Sequence, residues 1–217
     1  MTDQRIFITG ITSFLLRDLA TRLRDRGNTC IGLSRQSISM EGIELIHGDL
    51  LQPDTWRDHL ATCDMVIHGA AITHSHDENL YEQVNHLATR ALVDACDPGQ
   101  RFVFISSRVA GMHSGAYGVS KFRAEEYIRS HCPDHLILRP SEVFGGGKEE
   151  GIESLIRTVL QKRLVVYPGG VGTPLCPIHV KDLVDNMEEI ILQESHPDYM
   201  MILRGPQCMG FKEIVQT

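Results

Sequence analysis

The chain has no run of basic residues, no apolar stretch long enough to span a bilayer, no Cys-x-x-Cys pair and no charged-apolar-small pattern at its start. Each absence excludes a class of protein. With 21 Lys and Arg against 28 Asp and Glu, the net charge of -7 repels phosphate backbones and anionic surfaces, so neither nucleic acid nor a membrane is an expected partner. A membrane helix needs about 18 or more consecutive apolar residues, and the opening Met1-Thr-Asp-Gln-Arg-Ile-Phe-Ile-Thr-Gly10 runs directly into a strand. The six cysteines, Cys30, Cys63, Cys96, Cys132, Cys176 and Cys208, stand singly, which predicts reduced thiols in a cytoplasmic protein. His74-Ser-His76, with His68 and His86 nearby in sequence, lacks the i, i+4 helical spacing or Cys partners of a metal motif, so no metal is predicted and a solvated loop explains the pair.

What the chain does contain is alternation. At 217 residues it suits one large domain, or one domain plus part of a second, burying roughly 70% of its unfolded surface. Strands are predicted at Arg5 to Thr9, Thr29 to Leu33, Ile43 to His47, Met65 to His68, Phe102 to Ser106 and His135 to Arg139. Between them lie predicted helices at Phe14 to Arg26, Pro53 to Ala61, Asn79 to Cys96 and Tyr117 to His131. Strands separated by helices imply an α/β fold, a parallel sheet with right-handed crossovers and helices on both faces. The character changes at Phe144-Gly-Gly-Gly147, where we place the end of a first domain at residue 145. Beyond it come a helix from Ile152 to Gln161, a turn-rich loop at Tyr167 to Pro174, Ile178-His-Val-Lys-Asp182 leading a helix to Gln193, and a strand at Tyr199 to Leu203. Phe211 to Thr217 reads as the first turns of another helix, so residues 146–217 are expected to form a smaller lobe, interleaved with the last elements of the first domain and stopping in mid-element.

Tyr117 and Lys121 stand i, i+4 at the start of the helical segment, which puts phenol and ammonium on one helix face. A phenol titrates near pH 10, and bringing it to about 7 takes roughly 4 kcal/mol, part of which a fixed cation at Lys121 is expected to supply. Upstream, Arg101-Phe-Val-Phe-Ile-Ser-Ser107 reads as a buried strand ending in two hydroxyls. A Ser, a Tyr and a Lys so converge where a strand ends and the next helix begins, the usual ligand crevice of an open α/β sheet.

The first strand runs through Gly10, Ile11, Thr12, Ser13 and Phe14 into a helix, where a dinucleotide fold sets pyrophosphate on helix amides. Only Gly10 of the usual three glycines is present; Ser13 and Leu16 occupy the other positions, and Leu16 is expected to hold the helix off the sheet. An ordinary strand-helix turn is the competing reading of this loop. After the second strand no acidic residue awaits a ribose; Ser34 can hydrogen-bond and Arg35 can pair with a 2'-phosphate, which favours NADP over NAD. Asp49 and Leu50 end one strand and His68, Gly69, Ala70 and Ala71 another. Asp49 suits either an adenine amino group or a helix N-cap.

Together these segments resemble the extended branch of the short-chain dehydrogenase/reductase superfamily, the NAD-dependent epimerase/dehydratase family that acts largely on nucleotide sugars. The resemblance rests on the order of Thr9-Gly10, Gly48-Asp-Leu50, His68-Gly-Ala-Ala71, Asn85 with Thr89, Ser106-Ser107, Tyr117-x-x-x-Lys121, Leu138-Arg-Pro-Ser-Glu-Val-Phe-Gly145 and Ile178-His-Val-Lys-Asp-Leu183. It implies a Rossmann-type doubly wound sheet with a small, incomplete C-terminal substrate lobe. It further implies Tyr117 as acid or base, Lys121 lowering its pKa and binding the nicotinamide ribose, Ser107 on the substrate oxygen, and Asn85, Pro140 and Val143 among the residues around the cofactor. Arg108-Val109 after Ser107 departs from the acidic pair of the family's dehydratases and disfavours water elimination. An epimerase, an NADPH-dependent carbonyl reductase and a non-catalytic nucleotide-binding relative are the three readings carried forward, with a small molecule, a nucleotide sugar by resemblance, as ligand and a homodimer as one candidate assembly.

Overall fold

The computed structural model describes residues 3–147, 151–162, 174–193, 199–210 and 213. Seven parallel strands form the central sheet: β1 (Arg5–Thr9), β2 (Thr29–Ser34), β3 (Glu44–His47), β4 (Met65–His68), β5 (Arg101–Ile105), β6 (His135–Pro140) and β9 (Met200–Leu203), in the order β3-β2-β1-β4-β5-β6-β9. A short parallel ribbon, β7 (Val143–Phe144) with β8 (Ile178–His179), stands apart. The helices are α1 (Phe14–Asp25), α2 (Arg57–Leu60), α3 (Glu78–Leu80), α4 (Ala88–Asp94), α5 (Gly115–His131), α6 (Gly151–Lys162) and α7 (Val180–Ile191).

Because side chains alternate across a strand, each strand feeds two cores. Ile6 and Ile8 of β1 pack with Leu16, Leu19, Ala20 and Leu23 of α1 and with Leu183, Val184 and Met187 of α7. Phe7, between them, points to the opposite layer with Trp56, Leu92, Phe104, Ala124 and Ile128. This is a doubly wound α/β sheet of Rossmann type, and its strand order reverses between β1 and β4, the point at which such sheets open a crevice. The buried positions of α1 recur at i, i+3, i+4 and i+7, and Ser13 caps the helix by accepting from the Leu16 amide at 3.2 Å.

The structure adjusts several expectations. The predicted helix Pro53 to Ala61 divides into a 3-10 turn at Pro53–Thr55 and α2, because Trp56 leaves the helical path and buries its ring. The predicted helix Asn79 to Cys96 contains a π-helix at Tyr81–Leu87 between α3 and α4. The cysteines are not all reduced: Cys176 and Cys208 form a disulfide, while Cys30, Cys63, Cys96 and Cys132 are free. Singly spaced cysteines hid this pair, which only the antiparallel bridge of Leu175 with Met209 brings together. Residues 167–173 of the predicted loop, and all of Phe211 to Thr217 except Glu213, lie outside the described residues.

Candidate functional site

A cleft of about 260 Å³ opens over the C-terminal ends of β1, β2 and β4. Nine of the residues expected to hold a dinucleotide line it: Gly10, Thr12, Ser13, Ser34, Arg35, Asp49, Leu50, Ala70 and Ala71. Gly10 is required by geometry, since its φ is +78° and a Cβ there would lie 2.7 Å from the Ala70 nitrogen. Ser13 accepts from Leu16 and still has its own proton to donate toward an anion at the start of α1. Ser34 both donates to the Gln36 carbonyl at 2.8 Å and accepts from its amide at 3.0 Å, so its hydroxyl closes the turn after β2 and is not turned toward a ribose. Arg35 is exposed on the same wall. Asp49 accepts from Leu51, and its peptide group meets Thr55 and the Trp56 indole, the behaviour of a turn-forming residue that still faces the cleft. This wall of the cleft is therefore shaped by Ser34 and Asp49, with Arg35 exposed on it.

Leu16, expected to hold the helix off the sheet, places its side chain against Gly69. It is 2% exposed, and a Cβ on Gly69 would lie 3.0 Å from its Cγ and Cδ2, so the missing helix glycine is answered by a glycine after β4. Phe14 is 45% exposed beside the loop, and Pro140 and Val143 lie at the β6 end and in the β7–β8 ribbon, away from the cleft walls.

The catalytic candidates sit around the C-terminal end of β5. Ser107 lies near enough to the Tyr117 phenol to influence its titration, and the Tyr81 ring meets the Tyr117 ring edge-on with centroids 6.0 Å apart. Burial raises the Tyr117 pKa above that of an ordinary phenol, and the nearby Ser107 only opposes this, so Tyr117 is protonated at neutral pH. The expected lowering by Lys121 is not what the geometry delivers. Lys121 is 1% exposed, donates to the Ile105 carbonyl at 2.7 Å, and lies 4.0 Å over the Phe104 ring. Burial holds its pKa down to about 7, with the Glu125 carboxylate opposing.

Glu125, fully buried one turn beyond Lys121, escaped the sequence reading. Its carboxylate receives Arg139 in a two-pronged ion pair, Arg129 at 3.1 Å and the Ser106 hydroxyl. Of the two hydroxyls ending β5, Ser106 thus faces the buried charge and Ser107 the phenol. The i, i+4 spacing of Lys121 with Glu125 was the available signal. Tyr81 and Ser120 were missed as well; both act through contacts distant in sequence.

His68 and Asn85 are interior residues connected to both regions. Asn85 bonds both polar backbone groups of Ile72, at 2.8 and 2.9 Å, and reaches the Ser120 hydroxyl at 3.2 Å. Ile72 lines the cleft and Ser120 belongs to the Tyr117 helix, so the dinucleotide-type cleft and the Ser107–Tyr117 pair are joined. Among the described residues no group of three or more His, Cys, Asp or Glu is placed to hold a metal ion, and no helix is long and apolar enough to cross a membrane.

The sheet order and the cleft at its reversal point define a Rossmann-type α/β protein. The chain belongs to the NAD dependent epimerase/dehydratase family, whose profile matches residues 6–202. A ceramide reductase from Caulobacter vibrioides is 32% identical over 160 residues, covering 69% of this chain and 50% of that protein, so the chain spans about half the length of this curated relative. Among solved structures, MoeE5 in complex with UDP-glucose and NAD superimposes with a TM-score of 0.80 at 24% identity, covering 98% of this chain and 80% of that one. The UDP-glucuronic acid 4-epimerase from Bacillus cereus in complex with NAD gives 0.79 at 19% identity, with 98% and 80% coverage. These structural likenesses establish the shared fold.

Proposed function

We propose that the protein is an NAD(P)-dependent oxidoreductase or epimerase that acts on a hydroxyl or carbonyl group of a nucleotide sugar or similar small molecule through Ser107, Tyr117 and Lys121. The observation that carries the reading is the convergence of Ser107 and Tyr117 beside a fully buried Lys121, on a helix joined through Ser120 and Asn85 to the cleft. The residues fit a dinucleotide: Gly10 allows close backbone approach, Thr12 and Ser13 precede the helix amides, and Asp49, Leu50, Ala70 and Ala71 wall the adenosine side. When bound, the dinucleotide supplies or takes up hydride at its nicotinamide. Tyr117, held protonated by burial, donates its proton to a substrate carbonyl oxygen that Ser107 orients, and accepts it back in the oxidising direction. Lys121, one turn along α5, would meet the nicotinamide ribose once its ammonium left the Ile105 carbonyl. Phe14 stands beside the glycine loop, His68 and Asn85 support the cleft wall from the interior, and Pro140 and Val143, expected around the cofactor, lie away from the cleft.

Net carbonyl reduction is a second reading, favoured by the raised Tyr117 pKa and by the ceramide reductase relative. Absorbance of the reduced nicotinamide separates the two: a reductase consumes it mole for mole with a ketone substrate, whereas an epimerase interconverts UDP-sugars with no net change. Dinucleotide binding with turnover of neither substrate class would leave only the non-catalytic relative.

Arg35 is the proposed seat of the 2'-phosphate, a charge-assisted contact worth about 1.5–3 kcal/mol. Arg35→Ala should weaken NADPH roughly tenfold or more in calorimetry and leave NADH unchanged; equal effects on both would remove the NADP preference. We also place the protein in the cytoplasm, in keeping with its four free cysteines and despite the Cys176–Cys208 bond. Light scattering decides whether it works as a homodimer.

A further inference from the structure

His68 is fully buried at the end of β4, and its ring stacks on Phe104 with centroids 5.5 Å apart. Nδ1 lies 2.6 Å from the Thr9 hydroxyl and Nε2 lies 2.8 Å from the Thr89 hydroxyl. The neighbours of those hydroxyls decide where the imidazole proton is. The Thr89 hydroxyl donates to the Asn85 carbonyl at 2.9 Å, so it can only accept from the ring, and Nε2 carries the hydrogen. The Ala70 amide donates to the Thr9 oxygen at 3.2 Å, which leaves the Thr9 proton for Nδ1. The opposite tautomer would leave the Asn85 carbonyl without the Thr89 proton and the Thr9 proton without an acceptor. A charged ring is disfavoured as well, since burial and the nearby Lys121 push the His68 pKa down to about 3.

The bonds do not stop there. From Asn85 one branch returns to the cleft at both polar groups of Ile72, and another reaches the Ser120 hydroxyl, which donates to the Tyr117 carbonyl at 2.7 Å. Together the links join β1, β4, the π-helix with α4, the loop after β4, and α5. Both ends are functional surfaces, with Ala70 and Ile72 on the cleft wall and Tyr117 at the proposed reaction centre. Breaking one link strands a buried donor or acceptor, which an interior of this kind resists by shifting the others.

We propose that His68, fixed as the Nε2–H tautomer, is a positioning residue that couples the glycine loop of the cleft to the helix bearing Tyr117 and Lys121. The coupling itself follows from the hydrogen bonds; its use in setting cofactor affinity rests on the dinucleotide reading above.

The test has three arms on the intact chain. Long-range nitrogen NMR of the free protein at pH 7, with His68 assigned by loss of its signals in His68→Phe, should show a protonated Nε2 and a bare Nδ1; a protonated Nδ1 or an imidazolium overturns the assignment. In Thr89→Val, which touches neither cleft nor phenol, the Ala70 and Ile72 amides should exchange at least tenfold faster relative to amides inside β1. Unchanged exchange at both amides, even with a lowered thermal midpoint, means that His68 is an ordinary satisfied core residue. Finally, NADH and NADPH are titrated into wild type and Thr89→Val well below the midpoint, where a five- to twentyfold loss of affinity for the better ligand is expected. If the wild type binds neither, the dinucleotide reading fails, and the tautomer and exchange results still decide the coupling. If the wild type binds and the variant binds equally well, the positioning role is overturned.

Discussion

At the scale of single residues, burial moves the pKa of Tyr117 up and that of Lys121 down, the reverse of a lowered phenol beside a fixed cation. The phenol is held protonated by burial, and the ammonium, drawn to the Ile105 carbonyl, is the group brought close to neutrality. Tyr117→Phe keeps the ring and its edge contact with Tyr81, so fold and dinucleotide affinity should be retained while turnover falls 100-fold or more, the usual contribution of a placed acid-base group. Turnover above about a tenth of wild type on an identified substrate, with chemistry rate-limiting, would remove the assigned role. Lys121 supplies a prediction with a definite sign. Its pKa falls from 10.5 in the unfolded chain to about 7 in the folded one, so between those values the unfolded state holds a proton that the native state does not. Stability relative to Lys121→Met should therefore rise with pH from about 7 to about 10.5 and be flat below. Urea midpoints of both proteins at pH 6, 7, 8 and 9 measure the difference; a constant gap, or one that narrows in favour of the variant as pH rises, would show that Lys121 is charged in the fold.

The elements were largely legible, because alternation of apolar strands with amphipathic helices survives in the sequence wherever burial is one-sided. β1 and β4 match their expected limits, and α5 differs only at its first turn. The π-helix at Tyr81–Leu87 was not legible: one extra residue in the turn carries Asn85 inward to meet Ile72, and a buried polar residue leaves no mark on an apolar period. The site divides the same way. The cleft-lining residues follow strand ends and could be read, whereas Glu125 with Arg139 and Tyr81 with Tyr117 depend on pairings across elements. The neighbour of Leu16 could not be read locally for the same reason, since Gly69 follows β4, far away in sequence. That pairing is testable. Gly69→Ala alone should cost about 1–3 kcal/mol through overpacking, and Leu16→Ala alone about 2–5 kcal/mol through the vacated volume. In the double variant the added methyl occupies part of the space Leu16 leaves, so the combined loss should fall short of the sum by roughly 0.5–3 kcal/mol in urea unfolding. Strict additivity would mean that Leu16 and Gly69 do not share that space.

Across the whole molecule, the β7–β8 ribbon is fastened to the far edge of the main sheet by one concentrated set of contacts. The Cys176 carbonyl accepts from the Gly205 amide at 3.1 Å and from the Ser141 hydroxyl, and its amide donates to Glu142 at 3.2 Å. Gly205 passes so close to Pro177 that a Cβ would lie 1.8 Å from its carbonyl oxygen, which leaves no room for any other residue. The Cys176–Cys208 bond closes this junction over a sequence separation of 32. A loop of that length corresponds to about 3–4 kcal/mol of chain entropy removed from the unfolded state. Cys208→Ser, or reductant added to the wild type, should lower unfolding free energy by roughly that amount and leave the variant indifferent to reductant. The cleft of β1, β2 and β4 lies at the other side of the sheet, so dinucleotide affinity measured well below the midpoint should stay within about twofold of wild type. Six titratable thiols in the denatured but unreduced protein would show that the bond does not form. A large loss of dinucleotide affinity in Cys208→Ser would show that the junction, remote as it is, sets the geometry of the cleft.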